Sequence, residues 1–237
     1  MVMKSNKRSR FIRIFPGFIA VFVFAIAATA NASGQGIINE ILNRMDAHNK
    51  ALSSLRANVT MVKENAQLGG ALDTNEGRVA YLPAKARDPL VRIDWVKPKE
   101  SLSVVNKQYV IHRPALNQAY TGTTDGAKGN AKAGTALAFM NMSRAQLKEN
   151  YTVAYLGEET VKDGTKTWHL QMTPKVPTSY KSAEVWVDGN GMPVQSKVIE
   201  KNNDTTTVLL TNLQKNVRVD KSEFQIKLPD GTKVIKS

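Results

Sequence analysis

The sequence predicts an α+β domain: a single curled antiparallel sheet forming an incomplete β-barrel, closed by an N-terminal helix and a short helical lid. Three observations lead there. From Val59 onward, apolar residues recur at every second position in short runs, the period of half-buried strands. Turn signals separate the runs, among them Asn106-Lys107, Lys162-Asp163-Gly164 and Asp188-Gly189-Asn190-Gly191. Helical spacing is confined to two stretches, one ahead of the strands and one inserted among them. About ten strands joined by short turns cannot stay flat, and a long sheet that curls around its apolar face becomes an open barrel or half-barrel.

The first 32 of the 237 residues read as a cleaved secretory signal. Lys4, Lys7, Arg8, Arg10 and Arg13 form a basic start, Phe18 to Ala28 is an uncharged apolar run, and Ala30-Asn31-Ala32 offers small residues to a signal peptidase. The apolar run is about half the roughly 20 residues that a spanning helix needs. Residues 33–237 are then one domain, expected in the periplasm as a monomer. The sequence has no cysteine, which excludes disulfides and lipid attachment through a thiol. Five of the 33 basic residues and none of the 20 acidic ones precede Ser33, so the remaining chain carries a net charge of +8. Such a balance favours anionic partners, and export makes nucleic acid the least fitting of them.

Gly36 to about Arg56 is expected as an amphipathic helix, since Ile37, Ile38, Ile41, Leu42, Met45, Leu52 and Leu55 recur at spacings of mostly three and four. A strand follows through Val59 and Met61 to about Glu64. Gly69-Gly70 and Asp73 to Glu76 read as a turn region, and Arg78 to Leu82 as the returning strand. Val91, Ile93 and Trp95 then share one strand face. Leu102 to Val105 and Tyr109 to Ile111 form a hairpin about Asn106-Lys107, where Asn tolerates the positive φ of a tight turn. The Gly-rich segment Thr121 to Thr135 holds nothing bulky and reads as a surface loop. Ala136 to Met142 is a short apolar run, and Ser143-Arg144-Ala145-Gln146 has the spacing of a capping box for a short helix to about Asn150. Strands resume at Tyr151 and continue to the end, the last expected over Phe224, Ile226 and Leu228.

Recognisable catalytic chemistry is not written into the chain. His48, His112 and His169 lie on separate elements without metal-ligand spacing, and there is no nucleophile elbow, phosphate loop or dinucleotide fingerprint. Asp188 to Asn190 resembles the start of a calcium loop, but Met192 stands at the next ligand position and offers no hard oxygen. These readings favour a binding protein over an enzyme, with no metal and no cofactor. Trp95, Trp168 and Trp186 suit either a lipid site or ordinary core. Ala138 to Met142, AFMNM, suits a flexible lid, because methionine adapts to irregular apolar partners, or a packed helix.

In order along the chain, RDPLVRIDW, PKESLSVV, YVIHRPALNQAY, VWVDGNGMPVQSKVIEKNN and VRVDKSEFQIKLPDGTKV resemble the periplasmic outer-membrane lipoprotein carrier family, LolA. The resemblance spans residues 33–237 and implies an incomplete antiparallel barrel whose hollow receives the acyl chains of lipoproteins. It further implies that such a carrier takes acylated lipoproteins from an inner-membrane ABC transporter and passes them to an outer-membrane acceptor. A lipid-sensing or regulatory periplasmic module of the same architecture is the alternative reading. By the same resemblance Arg87 would latch the lid, and Thr135 to Asn150 would be the lid, with Leu137, Phe139, Met140 and Met142 as its apolar residues. Strand alternation nominates Val91, Ile93, Trp95, Leu102, Val104, Tyr109 and Ile111 as the cavity lining.

Overall fold

The computed structural model describes residues 27–83, 89–124, 137–139 and 142–236. Helix α1 (Ala27–Ala51) leads into β1 (Leu55–Asn65), β2 (Gly70–Leu82), β3 (Leu90–Trp95), β4 (Glu100–Val105), β5 (Gln108–Arg113) and β6 (Gln118–Thr123). Helix α2 (Arg144–Asn150) precedes β7 (Tyr151–Thr160), β8 (Lys166–Pro174), β9 (Tyr180–Asp188), β10 (Pro193–Glu200), β11 (Thr205–Lys215) and β12 (Lys233–Lys236). All twelve strands belong to one sheet, ordered β12-β6-β5-β4-β3-β2-β1-β11-β10-β9-β8-β7. Its two outermost strands are β12 and β7, so the sheet is open, an α+β half-barrel as expected.

Alternation explains which face turns inward. Leu55, Tyr81, Val91, Val104 and Tyr109 stand opposite one another across five neighbouring strands, forming one continuous inward row. A parallel row contains Ala57, Val79, Ile93, Leu102 and Ile111. These ten side chains are buried in a single apolar cluster with the inward residues of β8 to β11. Each such aliphatic side chain contributes roughly 1.5–3 kcal/mol by leaving water. The β4–β5 turn forms at Asn106 and Lys107, with φ of 51° and 60°, the left-handed pair that a two-residue hairpin requires.

Helix α1 lays Ile38, Ile41, Leu42 and Met45 into that cluster. All four lie beyond the cleavage site expected after Ala32, which falls inside α1. The helix packs against the β9–β10 turn so closely that a Cβ on Gly191 would collide with the Arg44 carbonyl, and Gly191 itself holds φ 83°. Arg44 donates to the Gly189 carbonyl at 3.0 Å and places its guanidinium over Trp168. The Asp188 side chain accepts from the Asn190 and Met192 amides at 2.9 and 2.8 Å, completing a hairpin turn.

A strap following β11 crosses the outer face of the sheet. Ser54 donates to the Val217 carbonyl, both Glu223 oxygens accept from Arg56 at 2.7 Å, and Ser103 donates to the Phe224 carbonyl. Phe224 is buried there, and Asp220 caps the short 3-10 turn Lys221–Phe224. The strap ends in β12, which pairs with β6 in parallel, whereas every other pairing is antiparallel.

Several boundaries differ from the sequence reading, among them the start of α1, at Ala27 instead of Gly36. Helix α1 stops at Ala51 instead of Arg56, because Leu55 and Arg56 pair with Tyr81 and Ala80 of β2. Asp73 to Glu76 are strand, held by pairing with β1 and by an Asp73–Lys63 ion pair of 3.4 Å. Thr121 to Thr123 belong to β6, where the smallness of Gly122 leaves room for the Tyr109 ring. Residues 226–228 are not a strand: the terminal strand is β12, and Phe224 alone of the alternating set is buried.

Candidate functional site

Where β2 ends, β3 begins and β4 ends, the inward row Tyr81, Val91, Val104 borders a space of about 510 Å³. That volume lies within the roughly 300–1,000 Å³ of small-molecule sites. Leu137 and Ala138 of a helical turn, together with Met142, form another part of its lining. Tyr151 at the start of β7 and Thr178 to Tyr180 before β9 contribute a further part, and Lys107 and Thr124 stand with them as polar members.

The segment with Met142 is tied down by α1. Asn49 donates to the Met142 carbonyl at 2.9 Å, and Asp46 accepts from the Arg144 amide at 3.4 Å. Asn39 accepts from Lys148 at 2.6 Å. Asp46 also pairs with Lys50 at 2.6 Å, and the Lys50 hydrogen bond is the main cause that holds its carboxyl below the usual aspartate range. Helix α2 opens with the expected capping box, in which Ser143 and Gln146 satisfy each other's amides, and buries Leu147. Lys175 reaches back to the Lys148 carbonyl at 2.6 Å, so α2 is held from two sides.

The residues nominated from sequence divide into three groups. Val91, Val104, Leu137 and Met142 border the cavity. Ile93, Trp95, Leu102, Tyr109 and Ile111 occupy the same inward face but are packed into the buried cluster, and Phe139 is buried against Tyr151 with ring centroids 5.9 Å apart. Arg87 and Met140 lie outside the described residues. Arg113 pairs with Glu100 at 2.8 Å and lies over the Tyr120 ring.

Three tyrosines that sequence reasoning did not nominate add the site's hydroxyls. Tyr151 and Tyr180 share a 2.6 Å hydrogen bond, and burial, reinforced by this bond, pushes the Tyr180 phenol above its ordinary range. Tyr81 is 1% exposed and burial likewise raises its phenol, yet its hydroxyl has no hydrogen-bond partner among the described residues. The alternation of Val79 and Tyr81 puts both on one strand face, but it does not mark Tyr81 as a site residue. Tyr180 follows Pro177-Thr178-Ser179, and nothing local in that stretch announces a cavity.

An open half-barrel whose inward face borders an apolar cavity, with a helical segment against it, defines an α+β fold built around an internal hollow. The family described as outer membrane lipoprotein carrier protein LolA matches residues 71–227, and the chain belongs to that family. No curated protein matches. Among solved structures, an uncharacterised conserved protein from Thermus thermophilus is similar at 14% identity and TM-score 0.52, covering 85% of this chain and 99% of its own. MucB is similar at 16% identity and TM-score 0.52, covering 82% of this chain, which spans 64% of MucB. A putative outer membrane lipoprotein-sorting protein domain from Vibrio parahaemolyticus matches at 13% identity and TM-score 0.46, covering 81% of this chain and 96% of its own. At these identities the first two likenesses show the shared fold. Among the described residues no helix is long and apolar enough to cross a membrane.

Proposed function

We propose that this protein is a periplasmic carrier that takes the acyl chains of lipoproteins into its cavity and shuttles them from the inner to the outer membrane. The observation that carries this reading is the cavity of about 510 Å³ against the inward row of a LolA-family half-barrel. Acyl chains gain roughly 0.8 kcal/mol per CH₂ removed from water, so an apolar wall with few fixed polar groups suits them. Residues 135–150 act as the lid and Arg87 as its latch, its five donors satisfying lid carbonyls in the empty state. The donor is an inner-membrane ABC transporter of the lipoprotein-release type, and the recipient an outer-membrane acceptor.

Native mass spectrometry of the protein released from periplasm tests the reading. Co-purified acylated lipoprotein is the expected result, and an apo mass under conditions that keep lipid on a control carrier refutes it. Arg87→Leu should slow release of bound lipoprotein to the acceptor, and an unchanged release rate removes the latch.

A further inference from the structure

An edge strand carries a row of backbone N–H and C=O groups with no neighbour, and native proteins guard such rows. The two edges of this sheet are guarded unequally. Strand β12 is four residues long and carries an exposed lysine at each end, Lys233 and Lys236. Strand β7 is ten residues long, and among the described residues no strand lies beyond it. The bond from the Lys175 amide to the Asn150 carbonyl, 2.9 Å, fixes the phase of the β7–β8 ladder. In an antiparallel pair, residues bonded to the partner strand alternate with residues whose backbone groups point away from it. Thr152 and Ala154 therefore direct theirs at β8, while Val153 and Tyr155 turn their N–H and C=O groups to the free side. No described group pairs with them there. The side chains of Val153 and Tyr155 pack on the inward cluster, and Thr152, Ala154 and Leu156 are exposed.

We propose that this edge is a docking strand for the polypeptide of an acylated lipoprotein, whose first extended residues pair with Val153 and Tyr155 while its acyl chains lie in the cavity. This rests on the reading of the cavity as an acyl-chain site and adds a protein-recognition surface to it. Continuity selects the occupant. Tyr151, the first residue of β7, lines the cavity. A strand rises about 3.3 Å per residue, which puts Val153 and Tyr155 roughly 7 and 13 Å along the edge from Tyr151. A polypeptide tethered to chains in the cavity starts beside this edge, whereas a free lipid has no backbone to add to it. Main-chain pairing binds an extended segment without reading its side chains, which suits a carrier of lipoproteins that differ in sequence. The register shift between Tyr155 and Gly157, with φ 131° at Gly157, and the exposed Glu158 and Glu159 beyond it end the pairing stretch.

The test is residue-resolved amide hydrogen exchange on the delipidated full mature protein, read by nuclear magnetic resonance. Two probes are compared, each first shown to displace a bound fluorescent apolar dye: a synthetic peptide with a dipalmitoylated N-terminal cysteine, and dipalmitoylglycerol, which has the same chains and no peptide. Without ligand the Val153 and Tyr155 amides should exchange fast. The lipopeptide should slow them about tenfold or more, and dipalmitoylglycerol should leave them fast. Val153→Pro removes an outward N–H and no bond to β8, so it should bind the lipopeptide about three- to tenfold more weakly than Val153→Ala and dipalmitoylglycerol equally well. The exchange measurement on the unaltered protein decides the matter even where Val153→Pro fails to fold. Fast exchange that persists with lipopeptide bound, equal slowing by dipalmitoylglycerol, or equal lipopeptide binding by the two folded variants overturns the inference and leaves acyl-chain carriage standing. Slow exchange without ligand also overturns it, since a second copy or another segment of the chain would then hold the edge. Displacement of the dye by dipalmitoylglycerol alone overturns it and leaves a lipid carrier without protein cargo. Failure of both probes to displace the dye overturns the inference together with the proposed function.

Discussion

The two halves of the sheet carry the same apolar alternation and cover it differently. Over the β8–β10 half, α1 is packed so tightly at the β9–β10 turn that only a glycine fits at position 191. At the β2–β4 end, the inward row meets a short segment held by a few polar contacts to α1, and space remains. Alternation therefore says which face is buried, while the length and fit of the covering element decide whether protein or ligand fills the space beneath it.

The two largest effects should come from the tight side, the first from overfilling it. Gly191→Ala adds a Cβ against the Arg44 backbone at a residue with positive φ, and should cost about 2–4 kcal/mol in urea unfolding. A loss below about 1 kcal/mol would mean that α1 is free to shift and that the contrast between the halves is weaker than drawn. Core truncation sharpens the point. Leu170→Ala, in the packed half, should cost about 2–5 kcal/mol. Leu137→Ala beside the cavity should fall below that range, because part of its surroundings is already empty, and should accelerate loss of bound lipid.

Smaller effects are expected at the polar ties. Asp46→Asn removes the charge facing Lys50 and should cost about 0.5–1 kcal/mol at neutral pH, since the exposed Lys50 head is screened by solvent. The folded-state pKa of Asp46 is depressed, so its contribution is present above the unfolded value of about 3.9 and fades as pH falls through the lower folded value. In that acid window the variant and the wild type should converge in stability, and a gap that persists there would contradict the assignment. The smallest effect belongs to the outer strap: Arg56→Ala should cost about 1 kcal/mol or less, because the Arg56–Glu223 pair is more than a third exposed on both sides.

Much of the fold was legible because short-range rules act at short range. Val91, Ile93 and Trp95 alternate with Arg92 and Asp94, and the structure buries the first three. The Asn106-Lys107 turn and the Ser143 capping box rest on chemistry within four residues. What escaped depends on distant partners. Asp73 to Glu76 are strand because β1 is there to pair them, against their own turn-like composition. The terminal strand is β12, since the strap delivers it to the free side of β6.

The site was legible to a lesser degree for the same reason. Val104 and Leu102 are indistinguishable as neighbours on one face, yet among the described residues the row through Val104 is the one that reaches the level where Leu137, Ala138 and Met142 meet Thr178 to Tyr180. Asn39, Asp46 and Asn49 look like the solvated face of an amphipathic helix until α2 and Met142 are seen against them. Val79 and Tyr81 share a strand face in the sequence, but the place of Tyr81 beside the cavity is a property of the assembled site.

The central claim is that the space beside Val104 holds acyl chains, and lipid retention after filling that space tests it most directly. Wild type and Val104→Trp, purified alike from periplasm and matched for folded content by near-ultraviolet circular dichroism, should differ in bound lipid. The wild type should carry acylated cargo, and the variant should carry little or none. Equal lipid on both proteins would place the cargo elsewhere and contradict the account.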